Sequence, residues 1–116
     1  MALTSTGYLP TTAGSSGAAN WYTSSSSNAV TTIIICNVVA FDPANPTADI
    51  SNFSLYAVPS GGTPGLTTLI VNQIPITAGE TLSLDQEKIV LGNGDSLVAI
   101  SSVASKLVMT LSTLAV

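Results

Sequence analysis

The sequence predicts an all-β protein, a β-sandwich of Ig-like or jelly-roll type with an extended N-terminal arm. From Asn20 onward Val, Ile and Thr dominate, and strand-length runs alternate with clusters of Gly, Pro, Asn, Asp and Ser. No window holds helical spacing over three turns. Short strands closely spaced between turn residues make sandwiches, and 116 residues fit one domain.

Residues 1–19 carry no charged side chain and consist mostly of Thr, Ser, Gly and Ala, a composition that builds no core of its own. They are read as the arm, with the sandwich over 20–116. Leu3, Tyr8 and Leu9 are the arm's large apolar anchors. Extended at about 3.3 Å per residue it reaches roughly 60 Å, enough to strap onto a neighbouring subunit. The plainer alternative is a disordered leader.

Eight strands are expected: Asn20 to Ser24, Ala29 to Ala40, Ile50 to Val58, Thr67 to Val71, Glu80 to Leu84, Glu87 to Leu91, Ser96 to Ser101 and Lys106 to Leu114. Alternation is clearest in the last, with Leu107, Met109 and Leu111 against Val108, Thr110 and Ser112; Phe53, Leu55 and Ala57 likewise share a face. Asp42-Pro43-Ala44-Asn45-Pro46 ends the second strand, because Pro donates nothing to a ladder. Pro59 to Gly65, Ala78-Gly79 and Gly92-Asn93-Gly94-Asp95 supply the other turns. Trp21 and Tyr22 open the folded region as core or hinge aromatics, or alternatively as a sugar-stacking platform.

The charge inventory is small: two Lys, no Arg, no His and six carboxylates, a net charge of −4, with 7% of residues charged. Nucleic-acid binding needs several cations on phosphates and is not expected. The absence of His removes its general acid–base chemistry and zinc sites built on it, and neither Lys88 nor Lys106 has a Ser three residues upstream to form a Ser–Lys nucleophile. The expectation is therefore no enzyme, no cofactor and no metal. Asp85, Glu87 and Asp95 match no calcium-loop spacing and read as solvated charges, and Gly92-Asn93-Gly94 reads as a turn, since Leu97 stands where a phosphate loop would place Gly. Asn52-Phe53-Ser54 fits a glycosylation acceptor only by chance.

No apolar run approaches the roughly 18 residues of a membrane helix, and MALTSTGYLP has neither the basic region nor the apolar core of a secretory signal. The single cysteine, Cys36, is expected to be a buried structural thiol. Aromatic residues make up 5% of the chain, which argues against a free carbohydrate-binding module. So much apolar surface with so little charge calls for covered edges, and hence for obligate oligomerisation.

Several central stretches carry a resemblance: Phe53-Ser54-Leu55-Tyr56-Ala57-Val58-Pro59-Ser60-Gly61-Gly62, Ile76-Thr77-Ala78-Gly79-Glu80-Thr81-Leu82 and Leu91-Gly92-Asn93-Gly94-Asp95-Ser96-Leu97, with Ile33-Ile34-Ile35-Cys36-Asn37 upstream. In this order the chain resembles small tailed-bacteriophage virion structural proteins that share an LYxVPSGG strand and turn, an AGET turn and a GDxL turn. The similarity runs from about Ala29 to Leu114, leaving out the arm and the loop Phe41 to Asp49. It implies a non-enzymatic virion component of β-sandwich type, present in many symmetric copies. The leading expectation is a capsid decoration (cement) protein stabilising contacts between major capsid subunits. Its partners would be the major capsid protein and copies of itself, as a trimer or dimer, without nucleic acid or membrane. Leu3, Tyr8, Leu9, Trp21 and Tyr22 are then the interface anchors. The alternative is a tail, neck or fibre-base subunit with a host-adhesion role, using the loops Asp42 to Asp49 and Pro59 to Gly65.

Overall fold

Alternating apolar residues turn most of the chain into strands with one inward face, and two such faces close on each other. The computed structural model describes residues 3–8, 19–84, 89–103 and 105–115. Its strands are β1 (Leu3–Tyr8), β2 (Ala19–Thr23), β3 (Asn28–Asn37), β4 (Ser51–Val58), β5 (Leu69–Ile76), β6 (Thr81–Leu84), β7 (Ile89–Leu91), β8 (Ser96–Ser101) and β9 (Leu107–Ala115). One sheet has the order β1-β9-β3-β6, with β7 continuing the edge beside β3, and the other the order β2-β8-β4-β5. All the ladders are antiparallel.

This pairing is that of a jelly roll. The chain forms a folded double ribbon in which β1 lies against β9, β2 against β8, β3 against β6 and β7, and β4 against β5. The β9–β3 and β8–β4 ladders then roll the ribbon into two sheets. Between them, Ile33, Ile35, Phe53, Leu55, Leu97 and Met109 are at most 2% exposed, and each such side chain contributes about 1.5–3 kcal/mol on burial.

Several elements differ from the sequence reading. Residues 3–8, placed in the arm, form β1 along β9 of the same chain, with Leu3 opposite Leu114 and Tyr8 opposite Met109. The Thr/Ser composition of this segment carries no apolar alternation to announce a strand. β5 runs past Val71 to Ile76 and takes in Pro75, which an edge strand tolerates. β3 ends at Asn37, not Ala40, because the Asn37 side chain accepts the Val39 N–H and turns the chain. Cys36 is half-buried, contrary to the expectation of a buried thiol, because the alternation that sends Ile35 and Asn37 inward sends it outward.

The loops gather at two ends. One end holds residues 24–27, 59–68 and 92–95, and the other 38–50, 77–80, 102–103 and 105–106. At the first, Asp95 accepts the N–H of Ser60 on Oδ1 and of Gly92 on Oδ2, each at 2.9 Å, while its carbonyl accepts Ser24 N–H at 2.8 Å. At the second, buried Asn37 donates from Nδ2 to the carbonyls of Asp49 (2.8 Å) and Ile76 (3.0 Å), and its Oδ1 accepts Val39 N–H at 3.1 Å. Lys106 pairs with Asp49 beside it.

Candidate functional site

A polar concavity lies on the outer face of the β8-β4-β5 sheet. Along β4 the residues that alternate with core Phe53 and Leu55 are Asn52, Ser54 and Tyr56, so a strand with one apolar face necessarily presents a polar one. With Ile100 and Ser102 on one side and Asn72 and Gln73 on the other, they line a groove of about 320 Å3.

A bulge shapes the groove's β5 wall. Phe53 pairs with Ile74 and Leu55 with Val71, so Asn72 and Gln73 together oppose the single residue Ser54. Gln73 sits at φ 50°, in the left-handed region that a non-glycine side chain enters at a cost of about 1–2 kcal/mol. The buried Ser54 hydroxyl holds the distortion by accepting Gln73 N–H at 3.0 Å. Both bulge residues are consequently exposed side by side and line the same cavity.

At the other wall, Ser102 Oγ accepts Asn52 N–H at 2.7 Å, and Ser102 N–H donates to the Asn52 carbonyl at 2.9 Å. The backbone frame is thus hydrogen-bonded. The side-chain amides of Asn52, Asn72 and Gln73, by contrast, make no hydrogen bond among the described residues. Among the described residues no charged side chain lines the groove. The arrangement can exchange hydrogen bonds with a ligand in both directions, since each amide donates and accepts, and it offers an aromatic ring in Tyr56.

A second concavity, apolar and about 190 Å3, opens where the edge of β5 faces β6 and β7, between Ile33, Leu55, Ile70, Val71, Leu84 and Ile89. Large apolar side chains stand exposed on the same flank and in the loop leading to it: Leu66 is 91%, Val90 67% and Ile70 44% exposed.

The sequence-predicted anchors that fall among the described residues lie on β1 and β2. Leu3 and Tyr8 fall at opposite ends of β1, and Leu9 lies outside the described residues. Trp21 is corrected from anchor to core residue: it is 7% exposed and packs in the main apolar cluster, and its indole N–H has no hydrogen-bond partner among the described residues. Tyr22 packs against the same cluster, half-buried. A bulge between Asn20 and Tyr22 explains how two consecutive residues both meet the core. Of the acidic trio, Asp85 and Glu87 lie outside the described residues, and Asp95 holds loop amides with both oxygens. No group of three or more His, Cys, Asp and Glu side chains fit to hold a metal occurs among the described residues.

Sequence reasoning missed the groove because its walls come from three separate segments, at 52–56, 72–73 and 100–102. The alternation Asn52, Ser54, Tyr56 was a usable signal, whereas the bulge at Gln73, lacking a glycine, gave none. Comparison of the chain with protein-family models, with curated proteins and with solved structures returns no match.

Proposed function

We propose that this chain is a structural subunit of a tailed-phage particle, a capsid decoration protein that lies on the shell and stabilises contacts between major capsid subunits. The reading is carried by the apolar flank. Ile70 is exposed and lines an apolar cavity at the β5 edge, and Val90 on β7 and Leu66 in the loop before β5 are exposed as well, in a chain of which only 7% of residues are charged. Such a surface is characteristic of a subunit that works against neighbours. The resemblance of the LYxVPSGG, AGET and GDxL stretches to phage virion proteins supports the same assignment. Among the described residues β1 sits at a sheet edge and pairs with β9 alone, so the N-terminal anchors Leu3 and Tyr8 belong to an element that a neighbouring subunit can reach.

The test is the copy number of this chain relative to the major capsid subunit in purified particles, by quantitative mass spectrometry. A ratio near one, or a simple fraction such as one third, is expected. The second reading, a tail, neck or fibre-base subunit with an adhesive role, is favoured by the uncharged polar groove. It predicts a ratio on the order of one per cent, and that value would remove the decoration role.

A further inference from the structure

We propose that the groove on the outer face of β8-β4-β5 binds an uncharged saccharide. The inference does not depend on where in a particle the chain resides. The groove's lining excludes most other ligand classes. An anion, nucleic acid included, finds no cation there among the described residues, where Lys106 is paired with Asp49 at one end of the sandwich. A cation finds no carboxylate among the described residues there. An extended peptide adding to the β5 edge would meet the bulge at Gln73 and the missing N–H of Pro75, which interrupt the ladder it needs. What remains is a neutral ligand rich in groups that both donate and accept, and sugar hydroxyls are such groups. Asn52, Asn72 and Gln73 match them in kind, and the Tyr56 ring suits the apolar face of a pyranose. At about 320 Å3 the cavity lies at the lower end of the roughly 300–1,000 Å3 of small-ligand sites, enough for a short saccharide.

The conformation of Gln73 is the second argument. Ser105, the other non-glycine residue with positive φ, lies in the turn before β9, where such geometry is ordinary; Gln73 lies within a strand. A long amide side chain held in the left-handed region, with its N–H fixed by Ser54, is strained for a purpose that its own packing does not supply, because the side chain is exposed.

The experiment uses the full chain, labelled with 15N and titrated with neutral hexasaccharides of glucose, mannose, galactose and xylose, with dextran sulfate as the charged comparison. At least one neutral saccharide is expected to shift the amides of Asn52, Tyr56, Asn72 and Gln73 while leaving the β1–β9 ladder unmoved, with an affinity near the millimolar range. Gln73→Gly keeps the bulge, since Gly adopts positive φ freely, but removes the amide. It should weaken binding about tenfold, the equivalent of one hydrogen bond, with no loss of the urea midpoint. Asn72→Ala should weaken it similarly. The proposal is overturned if no neutral hexasaccharide moves the groove amides, if dextran sulfate binds there better, or if Gln73→Gly and Asn72→Ala bind as the parent does.

Discussion

At one end of the sandwich the loops are joined by a neutral amide, at the other by a carboxylate, and the difference follows from what each set of loops leaves over. Around Asn37 two carbonyls, of Asp49 and Ile76, and one N–H, of Val39, need partners. Only a side chain that donates twice and accepts once serves all three, and Asn does so at 1% exposure. Around Asp95 the unmatched groups are the N–H of Ser60 and of Gly92, so a carboxylate, with an acceptor oxygen for each, fits. The identity of a loop-joining residue is thus set by the donor and acceptor count of the backbone it joins.

Exchanging the chemistry of the two ends should hurt most at the buried one. Asn37→Asp places a carboxylate against two carbonyls and should cost at least about 3 kcal/mol, read as a fall in the urea midpoint. An unchanged midpoint would break the comparison. At the opposite end Gly94 has φ +86°, and a Cβ there would stand 2.6 Å from Ser60 Oγ. Gly94→Ala should therefore cost about 1–3 kcal/mol in the same measurement. Asp95→Asn keeps one acceptor and turns an NH2 toward an N–H, for an expected loss of about 1–2 kcal/mol. Hydrogen exchange should show that loss confined to residues 59–62 and 92–95. The smallest effect belongs to Lys106→Met, which removes the partly exposed pair with Asp49. It should change stability by less than about 1 kcal/mol, and a larger change would mean that the Asn37 end depends on charge after all.

Much of this architecture was legible in the residues. Phe53 and Leu55, and Leu107 to Leu111, announce inward faces by alternation, and Gly92-Asn93-Gly94-Asp95 announces a turn. β1 was not legible, because Thr4, Ser5 and Thr6 gain a strand only from the ladder that β9 offers. The continuation of β5 was hidden by Pro75, which is compatible with a strand only once that strand is known to be an edge. Asn37 gave no sign of joining loops, since its partners at 49 and 76 are brought to it by tertiary structure alone. The groove was half legible: the polar alternation of β4 was visible, but not the bulge that faces it.

The rolled ribbon also has a consequence for how the chain comes to exist. Every ladder among the described residues joins a strand ending by Val58 to one beginning at or after Leu69. Neither half can therefore build a sheet by itself, and Ile33, Ile35 and Phe53 stay uncovered on the ribosome until the second half emerges. Opened within residues 59–68, the protein would become two fragments that are each unstructured and that fold only on meeting, a natural split pair carried on one chain.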